Sequence, residues 1–387
     1  MVEAIYMDHA ATTALRPEAR EAMAPYLDAR FGNPSSTHRW GREARGALEE
    51  ARERVAAALG ARRSEIVFTG GGTEADNIAI LGRWRCARQD GARAVVCSAV
   101  EHKAILAAVQ QAGREGAEVV LLAVDEHGTL DLDAVEHALV ATPAVVSVMW
   151  GNNEVGTVQP VGAVAERCRA AGVVCHTDAV QAFGKVPVDV AAASVDLLSV
   201  SAHKIGGPKG IGALYVRDGV RVDPVCHGGG QERQLRPGTE NVAGAVGFAA
   251  AAERAAAEQA AEAARLAALR DTLCQQISAA VPDVRVNGQG AAARLPHVLS
   301  LTFPDADQDA FLIGLDLEGL ACSGASACQS GASAPSHVLS AMGGAMEASA
   351  TIRLSFGHVT TAEEVARAAE LVARVASRVR IAAPARG

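Results

Sequence analysis

Aromatic side chains are scarce in this sequence: 3 Trp, 3 Tyr and 7 Phe among 387 residues. Single-stranded nucleic acid is gripped by exposed rings that stack on bases, and a chain with so few rings needs them in its core. Positive charge is short too. Lys and Arg number 36 against 44 Asp and Glu, the net charge is −8, and no five basic residues follow one another. A phosphate backbone is therefore not an expected partner. No stretch reaches the roughly 18 uncharged apolar residues of a membrane span. The alanine-rich run from Phe248 to Leu273 is broken by Glu253, Arg254, Glu258, Glu262, Arg265 and Arg270, as a surface helix would be. The opening MVEAIYMDHAATT has neither a basic nor a long apolar region, so nothing marks secretion and a cytoplasmic protein is expected. Cysteines at 86, 97, 168, 175, 226, 274, 322 and 328 form no CxxC pair. Neither a disulfide framework nor a metal site is expected from that spacing.

What is present is a globular composition, 49% hydrophobic and 21% charged, and a length that favours a large domain with a smaller one. From about Glu65 to Val222, apolar runs alternate with helical stretches: EIVFTGG, ARAVVCSA, AEVVLLAV, AVVSVMW, GVVCHTDA, VDLLSVSA and GIGALYVR. Such alternation predicts βαβ units and a mainly parallel sheet covered on both faces. Ligands gather at the carboxyl ends of the strands of such sheets, and polar or glycine-rich clusters stand there: GGGTEADN, EHK, GNNE, TDAVQ and SAHK. One shared site explains them together. After Asn241 a long alanine-rich helix is followed by short strands such as HVLSLTF and TIRLSFG among helices. The expected division is a large domain over residues 17–250 and a small α+β domain made of 1–16 with 251–387.

Lys204 ends the apolar run DLLSV in a glycine-rich turn. Burial lowers an amine's pKa and makes it a usable nucleophile toward an aldehyde; Lys209, in the same turn, suits an ordinary surface charge better. Asp178 ends the preceding strand. A lysine for a Schiff base and an acid beside a pyridine nitrogen are what pyridoxal phosphate chemistry requires, although an Asp at a strand end is more often a helix cap. Gly70-Gly71-Gly72-Thr73 opens a helix after a strand, which suits an anion or a plain capped turn equally. His102 follows a strand end in the same layer. Cys328 stands amid Gly, Ser and Ala, from Ser323 to Ser336. Packing does not explain a cysteine in a polar loop, and reactivity on a swinging arm does; Cys322, ending an apolar run, fits a core.

The ordered set YMDHAATT, FGNPSS, GGTEADN, EHK, NNEVGTVQP, HTDAVQ, SAHKIGGPKGIGALY, GGGQERQLRPGTEN, SGASAC and IRLSFG resembles the pyridoxal phosphate-dependent cysteine desulfurases of the nitrogen-fixation and housekeeping iron–sulfur type. The likeness runs nearly the whole chain. It implies a fold-type-I homodimer that binds pyridoxal 5'-phosphate, converts L-cysteine to L-alanine and leaves a persulfide on the enzyme. The resemblance assigns Lys204 to the Schiff base and to the Cα proton, Asp178 to the pyridinium nitrogen and Gln181 to the phenolate oxygen. His102 would stack on the ring and act as acid or base. Gly72, Thr73, Ser201 and His203 would hold phosphate, with Thr239 reaching in from the other subunit. Asn153 would sit near the cofactor, and Asn33, Asn153 and Arg353 would orient the substrate carboxylate. Cys328 would be the nucleophile, at most a transient iron–sulfur ligand, and its sulfur would go to an acceptor such as an iron–sulfur scaffold protein. The loop around Cys328 has the long form, as in family members that pass sulfur directly to partners. Pro237 stands before Gly238-Thr239 where a small or polar residue is commoner. A class V aminotransferase or a selenocysteine lyase would share Lys204, Asp178 and the phosphate cup, and Cys328 is what separates them.

Overall fold

The computed structural model describes residues 4–324, 336–344 and 349–379. The chain opens with β1 (Ile5–Tyr6), α1 (Pro17–Leu27) and α2 (Arg39–Leu59). All seven apolar runs then form strands: β2 (Ile66–Thr69), β3 (Ala94–Ser98), β4 (Glu118–Leu122), β5 (Pro143–Ser147), β6 (Val174–Asp178), β7 (Leu197–Ser201) and β8 (Gly212–Val216). Their order across the sheet is β2-β8-β7-β6-β5-β3-β4. β3 to β7 run parallel to one another, and β8 is antiparallel to both β2 and β7. Strands β2, β3, β5, β7 and β8 are buried along their whole length. That is why they read as continuous apolar runs: a parallel sheet covered on both faces has no polar side to alternate with. β4, at the edge, exposes Val119 and Leu121 instead.

Two helices position the site. α3 (Gly72–Asn77) starts directly after β2, where Gly71 takes φ 150°, a region that favours glycine. A Cβ on Gly72 would lie 2.7 Å from Val180 Cγ2, so the close approach of α3 to the β6 loop needs glycine there. α4 (Lys103–Arg114) is capped by His102, whose Nδ1 accepts from the Ala104 amide at 3.2 Å. That capping bond satisfies one of the amides a helix N-terminus leaves without an internal partner.

The helix α5 (Val242–Ala280) leads to the second sheet. This is formed by β9 (Arg285–Val286), β10 (Val298–Pro304), β12 (Ser323–Gly324) and β13 (Ser349–Ser355), while β11 (Leu320–Ala321) pairs with β1 in parallel. β12, β13, β10 and β9 lie in that order, antiparallel throughout. The closing helix α6 (Ala362–Arg378) begins with a capping box between Thr361 and Glu364. Its Val365, Leu371, Val372 and Val375 are buried with Phe303, Phe311 and Ile352 in a core separate from that of the large sheet. α5 contributes Phe248 and Ala252 to the first core and Leu266, Leu273 and Ile277 to the second. Full burial of a side chain such as Leu or Phe is worth roughly 1.5–3 kcal/mol, so each core holds α5 firmly. Among the described residues no helix is long and apolar enough to cross a membrane.

Candidate active site

The carboxyl ends of β3, β5, β6 and β7 meet the start of α3, and residues 8–11 and the β12–β13 pair close over them around a cavity of about 300 Å³. Of the predicted residues, Gly72, Thr73, His102, Asn153, Asp178, Gln181, Ser201, His203, Lys204 and Arg353 line it. Asn33 and Thr239 do not. Asn33 is exposed, and its Oδ1 accepts from the Ser35 amide at 2.9 Å, while Thr239 is exposed beside Gly238. Cys328 lies outside the described residues. The described chain leaves the cavity at Ser323–Gly324, which pair with Arg353 and Ile352. It resumes at Ser336, whose hydroxyl donates to Glu154, next to Asn153.

Lys204 ends a short turn, Ala202–Lys204, immediately after β7. Its ammonium donates to the carbonyls of Ala10 at 2.6 Å and Ala11 at 2.7 Å, so the N-terminal segment sets the direction of the amine. Lys209 is exposed, as expected of a surface charge. Opposite Lys204, one atom each of Asp76, His102 and Asp178 lie within 4.8 Å of one another. Asp178 is buried and accepts from the Val180 amide at 2.8 Å. Burial pushes its carboxyl up, and nearby His102 and Lys204 and the Val180 amide oppose that rise. Burial, reinforced by Asp178, pushes Asp76 well above the usual carboxylate range, and one of its oxygens has no hydrogen-bond partner. Two desolvated carboxyls this close do not both ionise. Of the two, Asp178 has the positive neighbours His102 and Lys204 and is the less strongly raised. Below them His176 contacts Ser147 Oγ at 2.8 Å and Ser199 Oγ at 3.0 Å, and burial lowers its pKa to about 3. Glu101 accepts from the Met149 amide at 2.6 Å and is likewise pushed up by burial.

At one end the cavity joins a neighbouring one of about 700 Å³ that shares Gly72, Thr73, Ser201 and His203 with it. Burial first, then Lys204 and Lys209, holds His203 down at about 4, a neutral ring whose Nδ1 lies 3.2 Å from Thr12 Oγ1. Backbone amides at the start of a helix, hydroxyls and a nearby lysine together make an anion cradle.

At the other end sits Arg353, from the middle of β13 and 3% exposed. It donates to Asp8 Oδ1 at 2.7 Å and to the Asn153 carbonyl at 3.0 Å, and its buried Nε has no partner. Arg353 lines the cavity, and a guanidinium there can take a carboxylate. Asp8, Asp76, Ser323 and Met149 also line the cavity and were not singled out from the sequence. For Asp76 a signal existed: it follows Thr73 by three residues on a helix, hence on the same face. Asp8 carried no comparable signal, since its partner Arg353 is 345 residues away.

The chain matches the aminotransferase class-V family over residues 5–368. It is 43% identical over 385 residues to cysteine desulfurase IscS of Dictyoglomus turgidum, covering 99% of this chain and 97% of that protein. It is 43% identical over 380 residues to putative cysteine desulfurase IscS 1 of Bacillus subtilis, covering 98% and 100%. Among solved structures, a NifS-like protein superposes with a TM-score of 0.90 at 34% identity, covering 97% of this chain and 100% of that one. SspA in complex with cysteine superposes with a TM-score of 0.78 at 33% identity, covering 92% and 100%.

Proposed function

The chain belongs to the aminotransferase class-V family, and we propose on that premise that it is a cysteine desulfurase that uses pyridoxal 5'-phosphate and forms a persulfide on Cys328. The observation that carries the reading is the meeting, in one cavity, of a lysine, a buried acid, an anion cradle and an arginine. The donor set fits the cofactor. Asp178 is desolvated and its carboxyl is raised even with His102 and Lys204 nearby; a protonated ring nitrogen would give it a direct counter-charge. Gly72, Thr73, Ser201 and His203 form a cradle of the right chemistry for a phosphate, and Lys204 stands between the two ends.

When bound, the cofactor supplies an electron sink that stabilises negative charge at the substrate Cα. Lys204 would hold it covalently, then take and return the Cα proton. Asp178 would keep a proton on the ring nitrogen, and Gln181 would donate to the phenolate oxygen. His102 would lie against the ring, with its Nε2 carrying the proton because Nδ1 accepts from Ala104. Arg353, with Asn33 and Asn153, would orient the carboxylate of L-cysteine. The Cys328 thiolate would attack the substrate sulfur: an S–S bond forms, the C–S bond breaks with its electron pair left on carbon, and protonation there yields L-alanine. L-cysteine and enzyme thiol thus become L-alanine and enzyme persulfide, with no external oxidant or reductant.

We further infer a homodimer in which Thr239 of a second copy completes the phosphate cradle, and a division into residues 17–250 and 1–16 with 251–387. The persulfide sulfur would pass to an acceptor such as an iron–sulfur scaffold protein, in the reducing cytoplasm where a free thiol persists. Incubation of the holoenzyme with L-cysteine and a reductant should give alanine and sulfide in equal amounts, and Cys328→Ala should abolish both. Full activity in that variant would overturn the persulfide mechanism.

A further inference from the structure

Gln181 is held from two sides. Its Nε2 lies 2.8 Å from the Ala10 carbonyl, and its Oε1 lies 3.1 Å from His297 Nε2. A carbonyl only accepts, so the atom facing Ala10 must be the amide nitrogen; the oxygen then faces His297, whose Nε2 must carry the proton. Turning the amide over would set its oxygen against the Ala10 oxygen and its N–H groups against the imidazole N–H. Neither arrangement is tolerated where water cannot intervene, and His297 is 2% exposed.

We infer that His297 is a positioning residue for the cofactor: by donating to Gln181 Oε1 it fixes the amide with its nitrogen on the side of Ala10 and leaves the second N–H for the cavity that Gln181 lines. The main chain that carries the ring is itself held in place. His297 immediately precedes β10, and its carbonyl accepts from the Phe356 amide at 3.0 Å, so the second sheet sets the orientation of a group on the first. Burial, with Lys185, Arg353, His9 and Lys204 around it, keeps this imidazole neutral by pushing its pKa well below the ordinary value. One nitrogen therefore carries the proton, and the bond to Gln181 decides which one. Sequence reasoning offered no sign of this contact, since the two residues are 116 positions apart.

The inference rests on the proposed role of Gln181 as donor to the phenolate oxygen, and the test separates the two. A donor at that oxygen disfavours a proton on the nitrogen that joins Lys204 to the cofactor, so losing the donor raises the pH at which the visible absorption band of the holoenzyme changes. His297→Phe should raise that midpoint by about one pH unit, the size expected for one hydrogen bond to a charged group. His297→Met, which fills the space flexibly and cannot donate, should do the same if the Phe variant folds poorly. His297→Gln, whose amide nitrogen reaches as far as Nε2, should restore the parent midpoint. Gln181→Ala should raise the midpoint, and adding His297→Phe to it should change nothing more. An unmoved midpoint in both the Phe and Met variants, with a raised one in Gln181→Ala, would overturn the inference alone. An unmoved midpoint in Gln181→Ala would overturn the reading of Gln181 and the inference with it.

Discussion

The two ends of the cavity are built differently. At the cofactor end each group follows its own strand by a few residues: Lys204 after β7, Gln181 after β6, His102 after β3 and Thr73 after β2. At the substrate end Arg353 comes from the middle of a strand in the second sheet, and Asp8 and the Asn153 carbonyl hold it across 345 and 200 residues. Groups that share one sheet are fixed relative to one another by its hydrogen bonds. Groups that meet across two sheets depend on how the sheets sit. On the proposed function the first end carries the chemistry and the second the recognition, and substitutions at the two ends should fail in different ways.

The largest effect is expected at the cofactor end. Lys204→Ala should lower kcat by about 10³-fold or more, in the range associated with loss of a positioned acid–base group, and should abolish covalent attachment as read by mass spectrometry after borohydride. At the substrate end Arg353→Lys should cost about 10- to 100-fold in kcat/KM, equivalent to the roughly 1.5–3 kcal/mol of a hydrogen bond to a charged group, with KM carrying most of the change. A kcat-only defect would break the division between the two ends. Asp8→Asn should act oppositely at the same place. Freed from its ion pair, Arg353 should bind the carboxylate of L-cysteine a few-fold more tightly, while urea unfolding of the variant shows a loss of about 1–3 kcal/mol from the missing charged bond.

The smallest effect concerns pH and the neutral histidine at the phosphate end. His203, ordinarily near 6.5, is held at about 4 in the folded chain, so below pH 6.5 the unfolded chain binds a proton that the folded one refuses. Stability from this group is therefore present above pH 6.5 and is lost as pH falls toward 4. The buried acids Asp76 and Glu101 work the other way, their contribution being lost as pH rises through their raised values. A difference measurement isolates the histidine. The stability of His203→Gln relative to the parent should improve as pH falls from 6.5 to 4, and a flat difference in urea midpoints would remove His203 from the account.

Much of this was legible in the sequence because the large sheet is parallel and buried. Its strands show as apolar runs, and the proposed site at their carboxyl ends puts most of its candidate groups beside a strand that can be read. Lys204, Asp178 and Gly72–Thr73 were singled out that way, and they line one cavity. Residues whose roles arise from contact between distant segments were not legible. Asp8 looked like one letter of YMDHAATT until β13 brought Arg353 to it, and His297 looked like the start of an apolar strand until it met Gln181. Asp76 had a local signal in its spacing from Thr73, but what raises its pKa, desolvation and the charge of Asp178, is not local to GGTEADN.

The helix α5 has 39 residues, a single rod of about 58 Å at 1.5 Å per residue. Its first third is fastened in the core of the large sheet and its last third in the core of the small one. Neither core can melt without baring the apolar face of a helix the other still grips. Heat should therefore unfold the two sheets in one calorimetric transition, and the site between them should be lost in that same step.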